Sequence, residues 1–509
     1  MRKIVKRTLS LFTAAMICLS LAGCGGGSGK EGAAKDTLTV LKNEDVTSLD
    51  PGKAMNQRSF SIYSQMFEGL VKYNPDTKKI DPCLATDWKQ IDDTTWHFNL
   101  RKGVKFHDGT TMTSKDVVYS LMRYAKSPVV STYMDWVADI QPDGDYAVTI
   151  KTKKPYATLI SCLTYPVAVI FPQGYFEKVG ESGFGQKPVG TGPYKFVKRA
   201  ESDSIAMERF DDYWGDKAKT KNLVFKIIPE GSQRTVMLQN GEADIVTDVI
   251  TSDAASIEQN DKLSLMKANS NKYYSLMFKC NSKTPIKNPK VRQAIAYAID
   301  KKPLVDVVMN GYGQVGSLLV TPTVKGYDKA KDQGNLYNEA KAKELLKEAG
   351  YPNGFEIEMY VRSGQPYEEL TTVVQDQLKK VGINVKQIVM DSNKIQEKLF
   401  AGDEVPIEIG FFNNITGDTD FIMQKLLPTT YGQTYFNDEM TVLINKARSE
   451  KTEEGRNKVY DEYFDLMAKD NPQISLFYEQ MLIGMGKHVK GFKPNPLGAH
   501  QFSTVSVSQ

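Results

Sequence analysis

The chain has 509 residues, a formal net charge of +4, 41% hydrophobic residues and 25% charged residues. This composition predicts a globular protein of two or three domains and excludes a chain that is disordered throughout. Because no basic stripe interleaved with aromatic residues is present, nucleic acid is not expected as a partner. The sequence contains no GxSxG, HExxH, P-loop or dinucleotide-binding motif and only four histidines, so it does not predict an enzyme.

The amino terminus has the pattern of a secretory signal. Four basic residues within positions 1–7 precede an uncharged, mostly apolar run over 9–21, which is shorter than the roughly 20 residues of a membrane-spanning helix. Residues 21–24 read Leu-Ala-Gly-Cys and resemble the lipobox of bacterial lipoproteins. The resemblance implies that 1–23 is a cleaved signal peptide and that Cys24 carries lipid such as palmitate. An ordinary signal peptide with a chance cysteine is the alternative.

A glycine-rich segment separates this signal from the body of the protein. Residues 25–32 read Gly-Gly-Gly-Ser-Gly-Lys-Glu-Gly, so 24–36 is predicted to be a lipidated cysteine followed by a flexible tether. Without residues 1–23 the 65 Lys and Arg become 61, which equals the 61 Asp and Glu. The mature chain is therefore predicted to be neutral, and it contains no second apolar run long enough to span a membrane.

Strand-like and helix-like patterns alternate along the mature chain. Strands are predicted from alternating or β-branched apolar residues, and helices from apolar residues at helical spacing followed by a glycine. The predicted strands are 37–41, 95–100, 146–150 and 383–386, and the predicted helices are 291–308, 338–349 and 368–381. This alternation favours α/β domains over a β-sandwich, and no period of 20–50 residues indicates repeats.

Three cysteines remain once Cys18 is removed with the signal and Cys24 carries lipid. These are Cys83, Cys162 and Cys280, which lie far apart in the sequence. An exported protein can oxidise one pair and leave one free thiol. Three buried thiols that act as small hydrophobic side chains are the other interpretation. The sequence leaves both open.

A series of short motifs extends from about Thr37 to the carboxyl terminus. They are SLDP at 48–51, MFEGLV at 66–71, LATDW at 84–88, FNLRKGVKFHDG at 98–109, KDVVYS at 115–120, GTGPY at 190–194, YW at 213–214, GEAD at 241–244, VRQAI at 291–295 with ID at 299–300, and KGF at 490–492. In this order they resemble family 5 of the extracytoplasmic solute-binding proteins of ABC importers, which bind dipeptides and oligopeptides. Each motif also has a structural interpretation. Gly190 and Gly192 predict a loop with unusual backbone angles, and Glu68 and Arg101 predict a structural ion pair.

The resemblance implies an α/β, two-lobed, periplasmic-binding-protein-like (type II) fold with an extra subdomain in the first lobe. Lobe I is expected at 37–279, with the subdomain at about 56–187. Lobe II is expected at 280–480, and the chain returns to lobe I at 481–509. The ligand is expected in the cleft between the lobes, which close over it by a hinge motion.

The implied function is that of a substrate-binding lipoprotein that delivers peptides to the transmembrane subunits of an ABC permease. The protein is expected to be a monomer without a cofactor, lipid-anchored at the outer face of the bacterial cell membrane. Two alternatives stay open. One is a binder of nickel chelates or another non-peptide solute, and the other is a surface receptor that senses peptides. No histidine lies between His107 and His488, which disfavours a nickel site built from imidazoles.

Asp418 is the first candidate for a ligand contact. The segment Ile415-Thr416-Gly417-Asp418 resembles the one that, in dipeptide binders, carries an aspartate paired with the ligand's ammonium group. Such a pair is strong when water is excluded from the closed cleft. Asp420 is the second choice. The alternative for both is a solvated loop that caps the helix starting near Phe421.

A second family position is an arginine before Pro-Tyr, which pairs with the carboxylate of a short ligand. This chain has Gln365 at that place, before Pro366 and Tyr367. Arg362 lies three residues earlier and is the candidate substitute. The departure weakens a strict dipeptide interpretation and suits a longer peptide or a solute without a carboxylate.

Further candidates are a predicted strand edge and several aromatic residues. Met55, Asn56 and Gln57 lie where this family presents main-chain groups to the peptide, which gives broad specificity. The aromatic candidates near the cleft are Tyr133, Trp136, Phe411, Phe412 and Tyr431. For each of these aromatics a place in the hydrophobic core is the alternative.

Overall fold

The computed structural model describes residues 35–53, 57–427 and 435–508. The features of the sequence analysis that lie outside these ranges are the signal peptide, Cys24, most of the tether, Met55, Asn56 and Tyr431. Within the ranges, no helix is both long enough and apolar enough to cross a membrane. The described chain alternates strands and helices, which confirms the prediction of an α/β fold.

The strands and α-helices are numbered here in chain order. The strands are β1 Thr37–Lys42, β2 Val71–Tyr73, β3 Ile80–Pro82, β4 Ala85–Gln90, β5 Thr95–Leu100, β6 Val137–Pro142, β7 Ala147–Thr152, β8 Tyr194–Ala200, β9 Ser204–Arg209, β10 Asn222–Ile227, β11 Ile245–Val246, β12 Leu263–Phe278, β13 Gly313–Gln314, β14 Phe355–Arg362, β15 Ile383–Met390, β16 Ile407–Asn413, β17 Gln473–Gly486, β18 Val489–Lys490 and β19 Ser506–Val507. The helices are α1 Phe60–Met66, α2 Ser114–Ala125, α3 Leu159–Cys162, α4 Gln173–Gln186, α5 Gly231–Gln239, α6 Ala254–Glu258, α7 Pro289–Ala298, α8 Glu339–Glu348, α9 Tyr367–Lys380, α10 Ser392–Ala401, α11 Thr419–Lys425, α12 Asp438–Ser449 and α13 Glu453–Asp470.

The largest sheet in the described chain has eleven strands and is centred on β12 and β17. Its order is β15-β14-β16-β12-β17-β11-β1-β10-β9-β8, and β13 pairs with β17 outside this path. The two central strands are antiparallel and are the longest, with 16 and 14 residues. Strands from the first half of the chain lie on one side of this pair, and β14–β16 lie on the other side.

The pairing of β12 with β17 is interrupted between Asn269 and Tyr273. Residues 263–269 pair with 480–486, and after a change of register residues 273–277 pair with 473–478. Such a bulge locally disrupts the ladder and bends the strand. The interruption lies between the part of the pair that joins β11 and the part that joins β16.

Buried apolar faces hold the helices on the strands. Helices α7, α8 and α9 pack on the side of the sheet that contains β14–β16, through buried residues such as Ile295, Leu346 and Leu378. Helices α5 and α6 cover the region around β11. A separate four-stranded antiparallel sheet, β4-β5-β7-β6, packs against α2 within the segment predicted as the subdomain.

Two of the three predicted helices are confirmed, and one is wrong in length. Helices α8 and α9 end before Gly350 and Gly382, whose φ of 90° places both in the left-handed region that favours glycine. The run 291–308 was expected to be one helix, but α7 ends at Ala298 and a separate π-helix covers Leu304–Val308. The amide of Asp300 donates instead to the side chain of Gln377 on α9, and Pro303 has no N–H for a continuous helix.

The GTGPY loop at 190–194 needs its two glycines for a different reason from the one expected. Gly190 and Gly192 do not have positive φ. A Cβ atom at either position would lie 2.2–2.3 Å from a carbonyl oxygen of α1, on Met66 and Gln65 respectively. The prediction of unusual backbone angles is therefore wrong at both residues, because close approach of two backbones is what excludes larger residues there.

Glu68 and Arg101 are both structural, although not as a direct pair. The Glu68 carboxylate accepts hydrogen bonds from Tyr213 at 2.6 Å, Trp214 at 2.8 Å and Thr191 at 2.9 Å. The Arg101 guanidinium lies 4.2 Å from the centre of the Trp214 ring, so the two charges are linked through that side chain. Cys83, Cys162 and Cys280 are free thiols, so no pair of the three forms a disulfide. Cys83 is buried, as the second interpretation expected, whereas Cys162 and Cys280 are half-buried.

Candidate functional site

A small cavity lies where the loop before α11 faces α3 and the short 3-10 helix Ser131–Tyr133. The residues that line it are Tyr133, Tyr156, Thr158, Ser161, Cys162, Tyr165, Thr416, Asp418, Asp420, Phe421 and Gln424. Its volume is about 10 Å³, which is about the space that one water molecule requires. The wall on one side comes from the segment predicted as the subdomain, and the other wall comes from the second half of the chain.

Asp418 is held in this cavity by the turn that precedes α11. The side chain of Asn414 donates to the Asp418 carbonyl at 2.8 Å and accepts from the amide of Gly417 at 2.9 Å. Gly417 has a φ of 69°, a conformation that a glycine adopts without strain. The turn therefore fixes the direction of the Asp418 side chain before any ligand is present.

The Asp418 carboxylate is 4% exposed and is bound by neutral donors. Its Oδ1 accepts from the Tyr460 hydroxyl at 2.6 Å and from the Asp420 amide at 3.2 Å, and its Oδ2 accepts from the Ser161 hydroxyl at 3.3 Å. Burial is the largest effect on this group and raises its pKa. The bond to the Asp420 amide also shows the capping role that was the alternative, so the residue both caps α11 and faces the cavity.

Asp420, the second choice, is already paired. Its two oxygens accept from Nε and a terminal nitrogen of Arg448 at 2.8 and 2.9 Å. The guanidinium of Arg448 in turn lies 4.3 Å from the centre of the Tyr156 ring across the cavity. Because this buried pair is bidentate, Asp420 is neutralised within the protein.

Aromatic and polar contacts connect the two walls beside the cavity. The rings of Tyr133 and Phe421 stack with centres 5.9 Å apart, and the Lys425 ammonium lies 4.5 Å from the centre of the Tyr133 ring. Gln424 donates to Asp135 at 3.0 Å. The lowered pKa of Lys425, about 8, results mainly from burial. These contacts join side chains of the two walls beside the cavity.

Two further contacts join the walls farther from Asp418. The backbone amide of Ala157 donates to the carbonyl of Arg448 at 2.8 Å. At the surface, Lys451 forms an ion pair with Asp93 at 2.6 Å, and both side chains are more than half exposed. The two walls therefore also meet through a backbone hydrogen bond and an exposed ion pair.

The structure places Arg362 in a different position from Asp418. Its guanidinium donates to Glu408 at 2.8 Å, and both side chains are less than a tenth exposed. Burial raises the pKa of Glu408, and the charge of Arg362 opposes this effect. Tyr367 lies beside Tyr274 with ring centres 6.0 Å apart, and Gln365 is exposed. None of Arg362, Gln365 and Tyr367 lines the cavity around Asp418.

The remaining candidates that the structure describes also lie outside the cavity lining. Gln57 begins the 3-10 helix Gln57–Ser59, so the expected strand edge is wrong at this residue. Its side chain donates to the carbonyl of Leu497 at 3.2 Å. Phe412 is buried and stacks on Tyr273, whereas Phe411 is 39% exposed and lies 4.7 Å from the Lys272 ammonium. Trp136 is buried and donates to the carbonyl of Tyr133 at 3.0 Å. Tyr133 itself lines the cavity.

The sequence analysis did not identify several residues that shape this site. Ser161, Tyr460, Arg448 and Lys425 lie far from Asp418 in sequence or on ordinary helix surfaces, and no local pattern marks them. The one sequence feature that could have pointed to any of them is the positive charge of Lys425, seven residues after Asp418. Within the described ranges, no group of three or more His, Cys, Asp or Glu residues is arranged to hold a metal ion.

Comparison with known proteins agrees with this architecture. Residues 79–433 match the middle region of the bacterial extracellular solute-binding proteins, family 5. The glutathione-binding protein GsiB of Pectobacterium atrosepticum is 29% identical over 497 residues, which cover 94% of this chain and 95% of that protein. The dipeptide-binding protein of Escherichia coli is 28% identical over 483 residues, which cover 87% and 89%.

The solved structures show the same fold. DppA from Helicobacter pylori, solved in complex with the peptide STSA, matches with a TM-score of 0.81 and 26% identity over 93% of this chain and 98% of that one. HbpA2 from Haemophilus parasuis matches with a TM-score of 0.83 and 24% identity over 93% and 100%. These similarities confirm the predicted type II periplasmic-binding-protein-like fold.

Proposed function

Because this chain belongs to family 5 of the bacterial extracellular solute-binding proteins, we propose that it binds peptides in the cleft that contains Asp418. The bound peptide is then delivered to the transmembrane subunits of an ABC permease. The basic and apolar start of the chain and the LAGC sequence support a mature, monomeric protein anchored by lipid on Cys24 at the outer face of the cell membrane. No cofactor is needed for this function.

The observation that carries the proposal is the buried carboxylate of Asp418. It lies at a cavity between two walls of the protein, and its hydrogen-bond donors are the neutral groups of Tyr460, Ser161 and the Asp420 amide. A carboxylate in a site from which water is excluded is complementary to an ammonium group, which a peptide carries at its amino terminus. The charge of Arg456 acts on this carboxylate from a distance, and the ligand supplies a positive charge in contact with it.

We assign the hinge of the closing motion to the interruption of the β12–β17 ladder at 270–272. The sequence placed lobe I at 37–279 and 481–509, with the subdomain at about 56–187, and lobe II at 280–480. The proposed hinge moves the first boundary to 270–272, because the rest of β12 pairs with β16. Among the described strands, β12 and β17 are the pair that joins one group of strands to the other within the sheet. A change of register at that point lets the lobes move without breaking the regular pairs on either side.

Two other functions serve as outcomes of the test. A nickel-chelate binder would use imidazole or carboxylate ligands, and His107 and His500 are buried in hydrogen bonds to the backbone. A peptide-sensing receptor would bind the same ligands but would pass on a signal instead of delivering the peptide to a permease. Genetic loss of peptide-dependent growth, compared with loss of a peptide response, separates transport from sensing.

The experiment that tests the proposed function is mass spectrometry of the material that co-purifies with the protein produced from Gly25 onward. The protein is purified natively and then denatured, and the released small molecules are identified. A set of short peptides supports the proposal, and their masses give the preferred length. A single non-peptide solute or a stoichiometric metal chelate overturns the peptide assignment while leaving the family unchanged.

A further inference from the structure

We propose that lobe II contains a second binding site, separate from the cleft at Asp418, which takes a small organic carboxylate with an apolar body. The site is a cavity between α7, α13 and the segment 316–336. The proposal does not depend on the peptide function, because every wall of this cavity belongs to the second half of the chain.

The cavity has the size of a small-molecule site. Its volume is about 470 Å³, within the range of roughly 300–1,000 Å³ that is common for such sites. None of its lining residues lines the cavity at Asp418. The lining residues are Gln293, Ala296, Tyr297, Lys301, Ser317, Leu318, Leu319, Ala330, Lys331, Gln333, Leu336, Lys341, Leu345, Phe464, Asp465, Met467, Ala468, Asn471, Gln473, Ile474 and Ser475.

Buried apolar side chains form much of the wall. Phe464 and Met467 come from α13, Ala296 comes from α7, and Leu318 and Leu319 come from the segment 316–336. Apolar surface of this kind releases water when an apolar group covers it. The cavity therefore suits a ligand with an apolar body and not a fully hydrated ion.

Lys301 supplies a buried positive charge to the cavity. Its side chain is 2% exposed, and its ammonium donates to the carbonyls of Gly316 at 2.9 Å and Gly334 at 3.0 Å. An ammonium group has three hydrogens, so one remains after these two bonds. Burial lowers the pKa of Lys301 to about 8, and the charge of Asp332 opposes this effect. The group is thus mostly protonated at pH 7 and complementary to a carboxylate.

The other two lysines of the lining are already paired. Lys331 lies 2.8 Å from Asp465, and Lys341 lies 2.8 Å from Glu344. The first of these pairs joins the segment 316–336 to α13. Among the described residues, Lys301 forms no salt bridge. It is therefore the lining cation that is left for an anionic ligand.

A hydroxyl group in the same cavity has no partner. The Ser475 side chain is 1% exposed, and its oxygen forms no hydrogen bond with any of the described residues. The side-chain oxygen of Gln473, which also lines the cavity, accepts two long bonds of 3.4 Å from the hydroxyls of Tyr273 and Ser275. Because a buried hydroxyl without a hydrogen bond is unfavourable, Ser475 is available to a polar atom of the ligand.

The location of the cavity separates its ligand from the transported solute. All of its walls lie in one lobe, so an opening of the cleft by hinge motion does not release the ligand. A molecule that binds the folded protein and not the unfolded chain stabilises the folded state. The carboxylate is therefore expected to act as a stabilising ligand of lobe II and not as the solute that is delivered.

The test compares octanoate with octanamide, which have the same length and differ in charge. Ligand-observed NMR and calorimetry measure their binding to the chain produced from Gly25 onward. Octanoate is expected to bind once per chain and at least tenfold more tightly than octanamide. In Lys301→Met the affinity for octanoate is expected to fall by tenfold or more, while that for octanamide stays within twofold. Gln333→Glu, at an exposed lining position, is expected to reduce the preference for octanoate because it adds a negative charge and keeps the lysine.

Two tryptophan variants test the location of the site. Ala468→Trp fills the cavity from an exposed position on α13 and is expected to abolish binding of both compounds. Ala340→Trp, at an exposed position on α8 outside the lining, is expected to leave both affinities unchanged. These variants and Gln333→Glu alter exposed positions, so they test the proposal even if Lys301→Met does not fold.

Three results would overturn the proposal. Equal affinities of the original protein for octanoate and octanamide contradict the role of Lys301. Unchanged binding in Ala468→Trp contradicts the location, and the absence of octanoate binding to the original protein contradicts the site itself. Each of these results leaves the peptide function intact, since that function is tested separately by the material that co-purifies with the protein.

Discussion

Replacing Asp418 by alanine is the most direct perturbation of the proposed site. The change removes a buried carboxylate and with it the hydrogen bonds from Tyr460, Ser161 and the Asp420 amide. A hydrogen bond to a charged group contributes about 1.5–3 kcal/mol, and each 1.4 kcal/mol corresponds to about tenfold in affinity. We therefore expect peptide binding to weaken by roughly 10- to 150-fold.

The empty protein is expected to keep its stability because two effects oppose each other. Burial raises the pKa of Asp418, so the charged carboxylate is unfavourable in the folded state and its removal is a gain. The loss of the cap of α11 and of the partner of the Tyr460 hydroxyl costs about 1–2 kcal/mol. We expect the melting temperature without ligand to change by only a few degrees.

Calorimetry with a peptide identified in the purified protein, together with thermal melting, gives both quantities. Asp418→Asn is the matched variant, because the amide keeps an oxygen for the Tyr460 hydroxyl and the helix cap but carries no charge. Both variants are expected to lose affinity by tenfold or more. Unchanged affinity in a folded Asp418→Asn protein would refute the pairing of this residue with the ligand's ammonium group.

Further predictions concern the stability of the scaffold. Burial lowers the pKa of His107 and of His500 to about 4. In each ring, Nδ1 accepts a backbone N–H and is therefore unprotonated in the folded state. As the pH falls below about 6.5, the unfolded state binds protons before the folded state does. The free energy of unfolding should therefore fall by on the order of 3 kcal/mol per histidine by pH 4. Urea unfolding at pH 7 and pH 4.5 measures this, and a flat profile would contradict it. Arg448→Met should lower the free energy of unfolding by about 3–5 kcal/mol because it leaves the buried Asp420 charge without its partner. Lys451→Met, at an exposed pair, should lower it by less than about 1 kcal/mol. Equal losses of stability in chemical denaturation would show that burial does not set the strength of these ion pairs. Gly192→Ala should destabilise by more than about 1 kcal/mol because its Cβ would meet the Gln65 carbonyl at 2.3 Å, while the control Gly174→Ala meets nothing within 4 Å. Equal melting temperatures for these two variants would disprove the close-approach argument.

Local patterns predicted much of the secondary structure because their causes are local. A capping asparagine at 338 and glycines at 350 and 382 satisfy or terminate backbone hydrogen bonds within a few residues, and α8 and α9 end as expected. The helix over 291–308 failed for the opposite reason. Its interruption depends on Gln377, a residue 77 positions away that supplies a hydrogen bond to Asp300.

The candidate site divides in the same way. Asp418 was identified from a short motif whose turn is held by Asn414, only four residues earlier. Asp420 and Arg362 could not be distinguished from it in the sequence, because their partners Arg448 and Glu408 lie 28 and 46 residues farther along. Whether a charge is available to a ligand depends on what neutralises it, and that is decided by contacts between distant segments.

By itself, the sequence determined the α/β class and the family and proposed one carboxylate for the site, since periodicity, capping residues and ordered motifs act over short distances. Tertiary structure decided which charges are paired, which aromatic rings line the cavity and why Gly190 and Gly192 are needed. It also brought Lys425 beside Tyr133, 292 residues away in sequence. Burial and pairing are properties of surfaces that meet only after folding, so no local pattern records them.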